Sequence, residues 1–126
     1  MKKVIIFILL IFAPVVLTAQ ANGPMISFEM ETIDYGEVVK GSNGVRTFVF
    51  ENTGDAPLKI EGVRSSCGCT IPKKPEEPIA PGEKGEIKVK YDTNRIGVFR
   101  KTITVNTNVA SASIIALKIK GNVKAN

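Results

Sequence analysis

The sequence predicts an all-β fold: a single antiparallel β-sandwich of about seven strands, preceded by a signal peptide. Beyond the first 24 residues, short runs alternate apolar and polar side chains, which is the period of a half-buried strand. Clusters of Gly, Asn, Asp and Pro separate these runs at intervals of about eight to twelve residues. No later stretch shows a sustained helical period with capping residues, so strands alone must build the core.

The first 21 residues have the layout of a secretory signal peptide. A short basic start is followed by an almost wholly apolar run, 4–17, and Ala19-Gln20-Ala21 has the small residues that a signal peptidase recognises. A membrane anchor is the alternative, but a span needs about 20 apolar residues and Pro14 interrupts this run. We therefore assign 1–21 to the signal peptide and 25–124 to the sandwich, and expect a periplasmic or secreted protein without a membrane span after cleavage.

The first four strands are predicted from alternation and from the turns that bound them. The run 25–29 alternates cleanly, whereas 33–38 is an irregular edge segment because Gly36 interrupts it. The run 45–51 places two phenylalanines on one face, and 58–63 follows a cluster of turn residues.

Two turns and one long loop are expected between strands. Asn43-Gly44 accepts positive φ at low cost and therefore predicts a turn. The segment 64–84 is expected to hold little regular structure because it contains four prolines, which cannot lie in a central strand. Pro81-Gly82 closes this segment with the residue types of a type II turn.

Three further strands complete the prediction. The run 85–91 alternates cleanly, 99–105 has an apolar face apart from Lys101 near its start, and 115–119 is the last. These runs supply an adequate core without a disulfide. The side chains expected to point inward are Ile26, Phe28, Phe48, Phe50, Leu58, Ile60, Ile87, Val89, Tyr91, Ile103, Val105, Ile115, Leu117 and Ile119.

Composition excludes several kinds of active site. The chain has no histidine, so neither a Ser-His-Asp or Cys-His nucleophile pair nor a histidine-based catalytic zinc can form. The lysines are spread along the strands rather than clustered as nucleic-acid binding requires. Glu76 and Glu77 are interpreted as solvated loop charge. We expect no enzyme, no cofactor, no catalytic or metal-binding residue and no nucleic-acid partner.

Cys67 and Cys69, the only cysteines, are the main candidates for chemistry. Four interpretations are open: reduced thiols packed as small hydrophobes, a local disulfide or redox pair, a Cu(I) site, and an intermolecular disulfide. A local disulfide needs a sharp turn at the middle residue, which makes Gly68 the candidate hinge. It would close a tiny ring and add little stability. A soft metal would need further ligands, for which Met25 and Met30 are candidates.

Five motifs surround this pair in a fixed order: Phe48-x-Phe50-x-Asn52-Thr53-Gly54, Pro57-Leu58-x-Ile60, Ser66-Cys67-Gly68-Cys69-Thr70-x-Pro72, Pro78-Ile79-x-Pro81-Gly82-x-x-Gly85 and Arg95-x-Gly97-x-Phe99-x-Lys101. Together they resemble the domain-of-unknown-function family 1573 of exported Bacteroidota proteins. That family is similar to the immunoglobulin-like modules of the ASPM, SPD-2 and Hydin group and of major sperm protein. The resemblance covers roughly residues 28–123 and implies an immunoglobulin-like sandwich and export, but no reaction.

The chain departs from the family pattern beside the cysteines. Family members often carry an aromatic residue after the Cys-Gly-Cys-Thr signature and a histidine before the Phe-x-Phe strand. In this chain there is no aromatic residue at 73–77 and no histidine at 45–47. Any role that needs an aromatic lid or an imidazole near the thiols is therefore disfavoured.

The sequence thus predicts an exported immunoglobulin-like domain that serves as a protein-interaction or structural module of the envelope. An envelope protein is the expected partner, contacted by pairing at an open sheet edge. The alternative is a thiol-redox or Cu(I)-binding function at Cys67-Gly68-Cys69. No feature of the sequence indicates an oligomeric state.

Overall fold

The computed structural model describes residues 23–125, and the predicted signal peptide, 1–21, lies outside them. Within the described range no helix has the length and apolar character needed to cross a membrane. A 3-10 helix, Ala110–Ala112, precedes the last strand. The strands are β1 (Ile26–Phe28), β2 (Thr32–Val39), β3 (Val45–Asn52), β4 (Ile60–Ser65), β5 (Thr70–Lys73), β6 (Lys84–Tyr91), β7 (Gly97–Thr107) and β8 (Ile114–Lys124).

The strands form two four-stranded sheets that pack face to face, which confirms the predicted all-β sandwich. The first sheet has the order β1-β3-β6-β5 and the second β2-β8-β7-β4. This is the arrangement of an immunoglobulin domain whose first strand is divided between the two sheets. Because the chain changes sheets between β1 and β2, β2 joins the last strand in the same direction, and β2–β8 is a parallel pair in an otherwise antiparallel sandwich.

One strand was not predicted: β5 lies inside segment 64–84, which was expected to hold little regular structure. It is a short edge strand, and an edge tolerates Pro72 because one side of the strand needs no backbone donor. The Thr70 N–H already donates to the Cys67 carbonyl oxygen at 3.2 Å. Neither Thr70 nor Pro72 therefore offers a free backbone donor to an additional strand.

The inner faces of the two sheets form the core largely as predicted. In β6 every second residue is buried, because period-two alternation turns successive side chains to opposite faces. All of the predicted inward residues are buried except Ile26, Phe28 and Ile115, which are half-buried against the core. The core also contains Tyr35, Cys69, Phe99, Val109 and Val123.

Asn52 is a fully buried polar side chain at the end of β3. Its Oδ1 accepts hydrogen bonds from the N–H groups of Gly54 (2.9 Å) and Met25 (3.4 Å). Its Nδ2 donates to the carbonyl oxygens of Ala56 (2.8 Å) and Ile79 (2.9 Å). One amide thus joins the segment before β1, the β3–β4 turn and the segment before β6. We term this the Asn52 end of the sandwich.

The two turn predictions have different outcomes. Pro81-Gly82 is confirmed as the centre of a turn, because Gly82 has φ +83° and the Glu83 N–H donates to the Ala80 carbonyl oxygen at 3.0 Å. The prediction of a positive φ at Asn43-Gly44 was wrong. In that turn the residue with the left-handed backbone is Gly41.

Candidate functional site at the cysteine end

Three connecting segments meet at the end of the sandwich opposite Asn52. They are the cysteine loop (66–69) between β4 and β5, the β2–β3 turn (40–44) and the β6–β7 loop (92–96). The sequence places them far apart, and only the strand order brings them together. We term this the cysteine end.

Hydrogen bonds hold the three segments in fixed positions. The Asp92 N–H donates to the Cys69 carbonyl oxygen at 2.9 Å, which joins the β6–β7 loop to the cysteine loop. The Gly41 N–H donates to the Thr93 carbonyl oxygen at 3.1 Å, and the Thr93 hydroxyl donates to the Ser42 carbonyl oxygen at 2.6 Å. The three segments of the cysteine end therefore form one hydrogen-bonded surface.

Cys67 and Cys69 are joined by a local disulfide, with their Cα atoms 5.1 Å apart. The two residues differ in environment: Cys69 is only 5% exposed, whereas Cys67 is half-buried. The Cys69 N–H donates to Cys67 Sγ at 3.0 Å, and the Thr70 hydroxyl oxygen lies 3.7 Å from Cys69 Sγ. Each sulfur thus has a different polar neighbour.

Gly68 occupies the predicted hinge position, but the turn does not depend on the conformational freedom of glycine. Its φ lies outside the left-handed region, so an L-residue could adopt the same backbone. A Cβ at this position would meet no atom within 4 Å. The effect of glycine here is to leave the outer surface of the cysteine loop without a side chain.

The structure does not bring the predicted soft ligands to the cysteines. Met25 contacts Asn52 at the opposite end of β3. Met30 lies between β1 and the start of β2, away from the cysteine end. In the described part of the chain, no group of three or more His, Cys, Asp or Glu side chains is placed to hold a metal ion. A Cu(I) site built from both cysteines and these methionines does not fit this fold.

A cleft of about 580 Å³ lies beside the disulfide, a size typical of ligand pockets. Its walls come from all three segments and from the adjoining strands. Sequence reasoning identified Cys69 and Gly68 but missed the rest of the cleft. Its lining includes Gly44, Val45, Gly68, Cys69, Ile71 and Tyr91.

The loop side of this cleft is polar and includes Asp92, whereas its sheet side is apolar and basic. Val45, Lys90 and Ile71 form one row across β3, β6 and β5 on the outer face of the first sheet. Ile71 is 64% exposed, which is unusual for so apolar a side chain. In the next row Lys88 lies beside Lys73. The surface therefore combines exposed aliphatic groups with positive charge.

A buried aromatic cluster supports the cleft from below. The Tyr35 hydroxyl donates to the Gly44 carbonyl oxygen at 2.7 Å, and the Arg46 guanidinium lies 4.2 Å from the centre of the Tyr35 ring. Tyr91 stacks on Phe99 with ring centroids 3.8 Å apart. Burial raises the pKa of Tyr35 to about 12, and the nearby Arg46 charge only partly opposes this effect.

We expect Tyr35→Phe to lower the free energy of unfolding by about 1 kcal/mol at neutral pH, the usual net value of one hydrogen bond. Because the pKa of Tyr35 is higher in the folded chain, the unfolded chain ionises first as the pH rises. The stability that protonated Tyr35 contributes is complete below about pH 10 and is lost between about pH 10 and 12. Urea unfolding followed by circular dichroism should therefore show the difference between wild type and Tyr35→Phe shrinking across that range. An unchanged difference would contradict this account.

The fold and the cysteine end define an immunoglobulin-like domain with a disulfide loop beside a cleft whose mouth carries exposed aliphatic side chains. The chain belongs to the family described as protein of unknown function (DUF1573), which matches residues 26–123. The resemblance drawn from the motifs around the cysteines is thereby confirmed. No curated protein matches the chain.

Three solved structures illustrate the similarity. A protein of unknown function from Porphyromonas gingivalis W83 is 19% identical with a TM-score of 0.73; 84% of this chain is covered, but only 49%, about half, of that protein. PapD-like (ASH) domain 7 of human CEP192 is 8% identical with a TM-score of 0.66, covering 92% and 94% of the two chains. WR4, a Caenorhabditis elegans major sperm protein family member, is 14% identical with a TM-score of 0.51, covering 79% and 97%. At these identities the likeness is one of fold.

Proposed function

We propose that this chain is an exported, non-enzymatic module that binds a segment of an envelope protein in the cleft at the cysteine end. The observation that carries the proposal is the exposed pair Val45 and Ile71 at the mouth of that cleft. Export is supported by the signal-peptide layout of 1–21 and by a disulfide, which persists in oxidising compartments.

Exposed aliphatic side chains concentrate at this end of the described chain. Val39 leads into the β2–β3 turn and Ile96 lies in the β6–β7 loop, and both are exposed like Val45 and Ile71. Isolated exposed apolar residues are ordinary, but several at one end of a domain, two of them at the mouth of a cleft, mark an interaction site. Covering them with apolar groups of a partner stabilises the complex by about 25 cal/mol per Å² removed from water.

The shape and charge of the rim indicate how the partner binds. The edge of β5, which borders the cleft, lacks free donors at Thr70 and Pro72, so a partner in the cleft does not add a strand at this edge. It enters the cleft with apolar side chains instead. Lys88, Lys90 and Lys73 on the neighbouring outer face favour acidic residues beside those apolar groups.

Site-specific photo-crosslinking tests the proposal, with Ile114 as the control position. Ile114 has the same side chain as Ile71 and similar exposure, 68% against 64%, but lies at the start of β8, away from the cysteine end. A photoreactive residue at position 71 should capture one partner in the compartment where the protein accumulates, and position 114 should not. Val45→Asp should abolish the position-71 adduct without unfolding the chain, because Val45 is exposed.

Equal adducts from positions 71 and 114 would contradict the proposed cleft. Loss of every adduct, with folded protein recovered in normal amount, would favour a purely structural role in the envelope. Persistence of the position-71 adduct in the Val45→Asp protein would show that contact at this edge does not use the cleft.

A further inference from the structure

We propose that the Cys67–Cys69 disulfide exchanges with external thiols, with Cys67 as the sulfur that is attacked and Cys69 as the sulfur that leaves. The inference rests on the contrast in burial between the two cysteines, and each sulfur also has a hydrogen-bond donor for the thiolate that it becomes. It is independent of the protein contact proposed above.

The two cysteines differ in exposure. Cys69 and its neighbour Thr70 are 5% and 3% exposed and belong to the buried part of the sandwich, whereas Cys67 is only half-buried. Gly68 adds no side chain between them, and the space above its Cα is open. Because exchange requires contact between the attacking thiolate and a disulfide sulfur, Cys67 is the accessible target.

Each sulfur has a donor suited to its role. The Cys69 N–H lies 3.0 Å from Cys67 Sγ and stabilises the thiolate that forms on Cys67 in the second step, when the donor leaves as a disulfide. The Thr70 hydroxyl, 3.7 Å from Cys69 Sγ, can donate to the thiolate that departs from Cys67. Such a hydrogen bond offsets part of the cost of forming a buried anion, and a more stable thiolate leaves faster.

The cysteine loop keeps its backbone contacts when the bond opens. The Ser66 N–H donates to the Thr102 carbonyl oxygen at 3.0 Å, and the Thr102 N–H donates to Ser66 Oγ at 3.2 Å. On the other side the Asp92 N–H holds the Cys69 carbonyl oxygen. The disulfide itself spans one residue and adds little loop-closure stabilisation. Reduced and oxidised chains therefore share one fold, as repeated exchange requires.

The exchange proceeds in two steps. A thiolate of a dithiol donor attacks Cys67 Sγ, the Cys67–Cys69 bond breaks, and the electron pair leaves with Cys69, which takes a proton from water. The second thiol of the donor, as thiolate, then attacks the donor sulfur of the mixed disulfide and releases Cys67 as a thiolate. The donor loses two electrons and becomes a disulfide, and the cysteine pair gains them. With a monothiol such as glutathione, two molecules replace the dithiol.

Single-cysteine variants and glutathione test this assignment. Cys69→Ser, incubated with oxidised glutathione, should form a stable mixed disulfide at Cys67, measured by intact mass. Cys67→Ser should react at least roughly tenfold more slowly, because a buried thiol is inert. In denaturant the two variants should react alike. In the otherwise native protein, Thr70→Val should slow reduction by glutathione and Thr70→Ser should restore it.

A second measurement avoids dependence on the folding of the variants. Native wild-type protein is partly reduced with glutathione, quenched with acid and mapped by peptide mass, and the glutathione adduct should lie on Cys67. Equal rates for the two variants, an adduct chiefly on Cys69, or reduction only after unfolding would each overturn the proposal. Since glutathione is the probe, these results do not depend on any partner of the cleft.

Discussion

Replacing Asn52 with leucine is expected to lower the free energy of unfolding by about 3–5 kcal/mol, near the upper limit for single substitutions. Leucine has a similar volume but cannot bond the N–H groups of Gly54 and Met25 or the carbonyl oxygen of Ala56. A buried donor or acceptor without a partner costs about 1–3 kcal/mol. The Ile79 carbonyl oxygen is less affected, because it also accepts from the Leu58 N–H.

Urea unfolding measures this loss, and Asn108→Leu is the matched control. Asn108 also bonds two backbone groups, the Lys59 N–H at 2.8 Å and the Pro57 carbonyl oxygen at 3.2 Å, but it is exposed. Water can replace its bonds, so the control should lose only about 1 kcal/mol. Similar losses for the two variants would show that burial of the Asn52 amide is not what stabilises this end.

The second large effect is expected for Gly44→Ala at the cysteine end. Gly44 is buried, and a Cβ there would overlap the Tyr91 carbonyl oxygen, a backbone atom that cannot rotate away. The Gly44 carbonyl oxygen also accepts the Tyr91 N–H at 3.0 Å. The added methyl must therefore force the β2–β3 turn away from β6, at a cost of about 2–4 kcal/mol.

Gly68→Ala provides the contrast for Gly44→Ala, since it adds the same methyl group in open space on the same cleft. Its unfolding free energy should stay within about 0.5 kcal/mol of wild type. Thermal unfolding of both variants, with the disulfide intact, compares them directly. A comparable loss at Gly68 would mean that the cysteine loop is more constrained than its surroundings indicate.

Alternation predicted the strands that bury one face. Ile87, Val89 and Tyr91 are buried as expected because β6 is a central strand with one face in the core. β5 was not predicted, because its proline argues against a central strand. Pro72 is tolerated only because β5 lies at a sheet edge, and that position depends on how the whole sheet assembles. The parallel β2–β8 pair likewise follows from the change of sheet after β1 and has no local signal.

The candidate site was predictable only in part. The cysteine pair is visible as a motif, but the cleft beside it joins residues such as Val45 and Ile71 that are distant in sequence. Gly44 was expected to matter for its backbone conformation, yet its role is close contact with Tyr91, which depends on the neighbouring strand. The unequal burial of Cys67 and Cys69 is likewise set by the sandwich and not by the motif.

The pairing of β2 with β8 has a consequence for the order of events in folding. Thr32 lies opposite Lys118, so one edge of the second sheet forms only from residues near the two ends of the domain. Contacts between residues so far apart in the sequence form late, because the entropy cost of closing the intervening loop must first be overcome. A nascent chain cannot complete this sheet until its last strand has been synthesised. Until then both β2 and β7 lack the strand that lies between them, so the sandwich stays incompletely folded while β8 is still being synthesised.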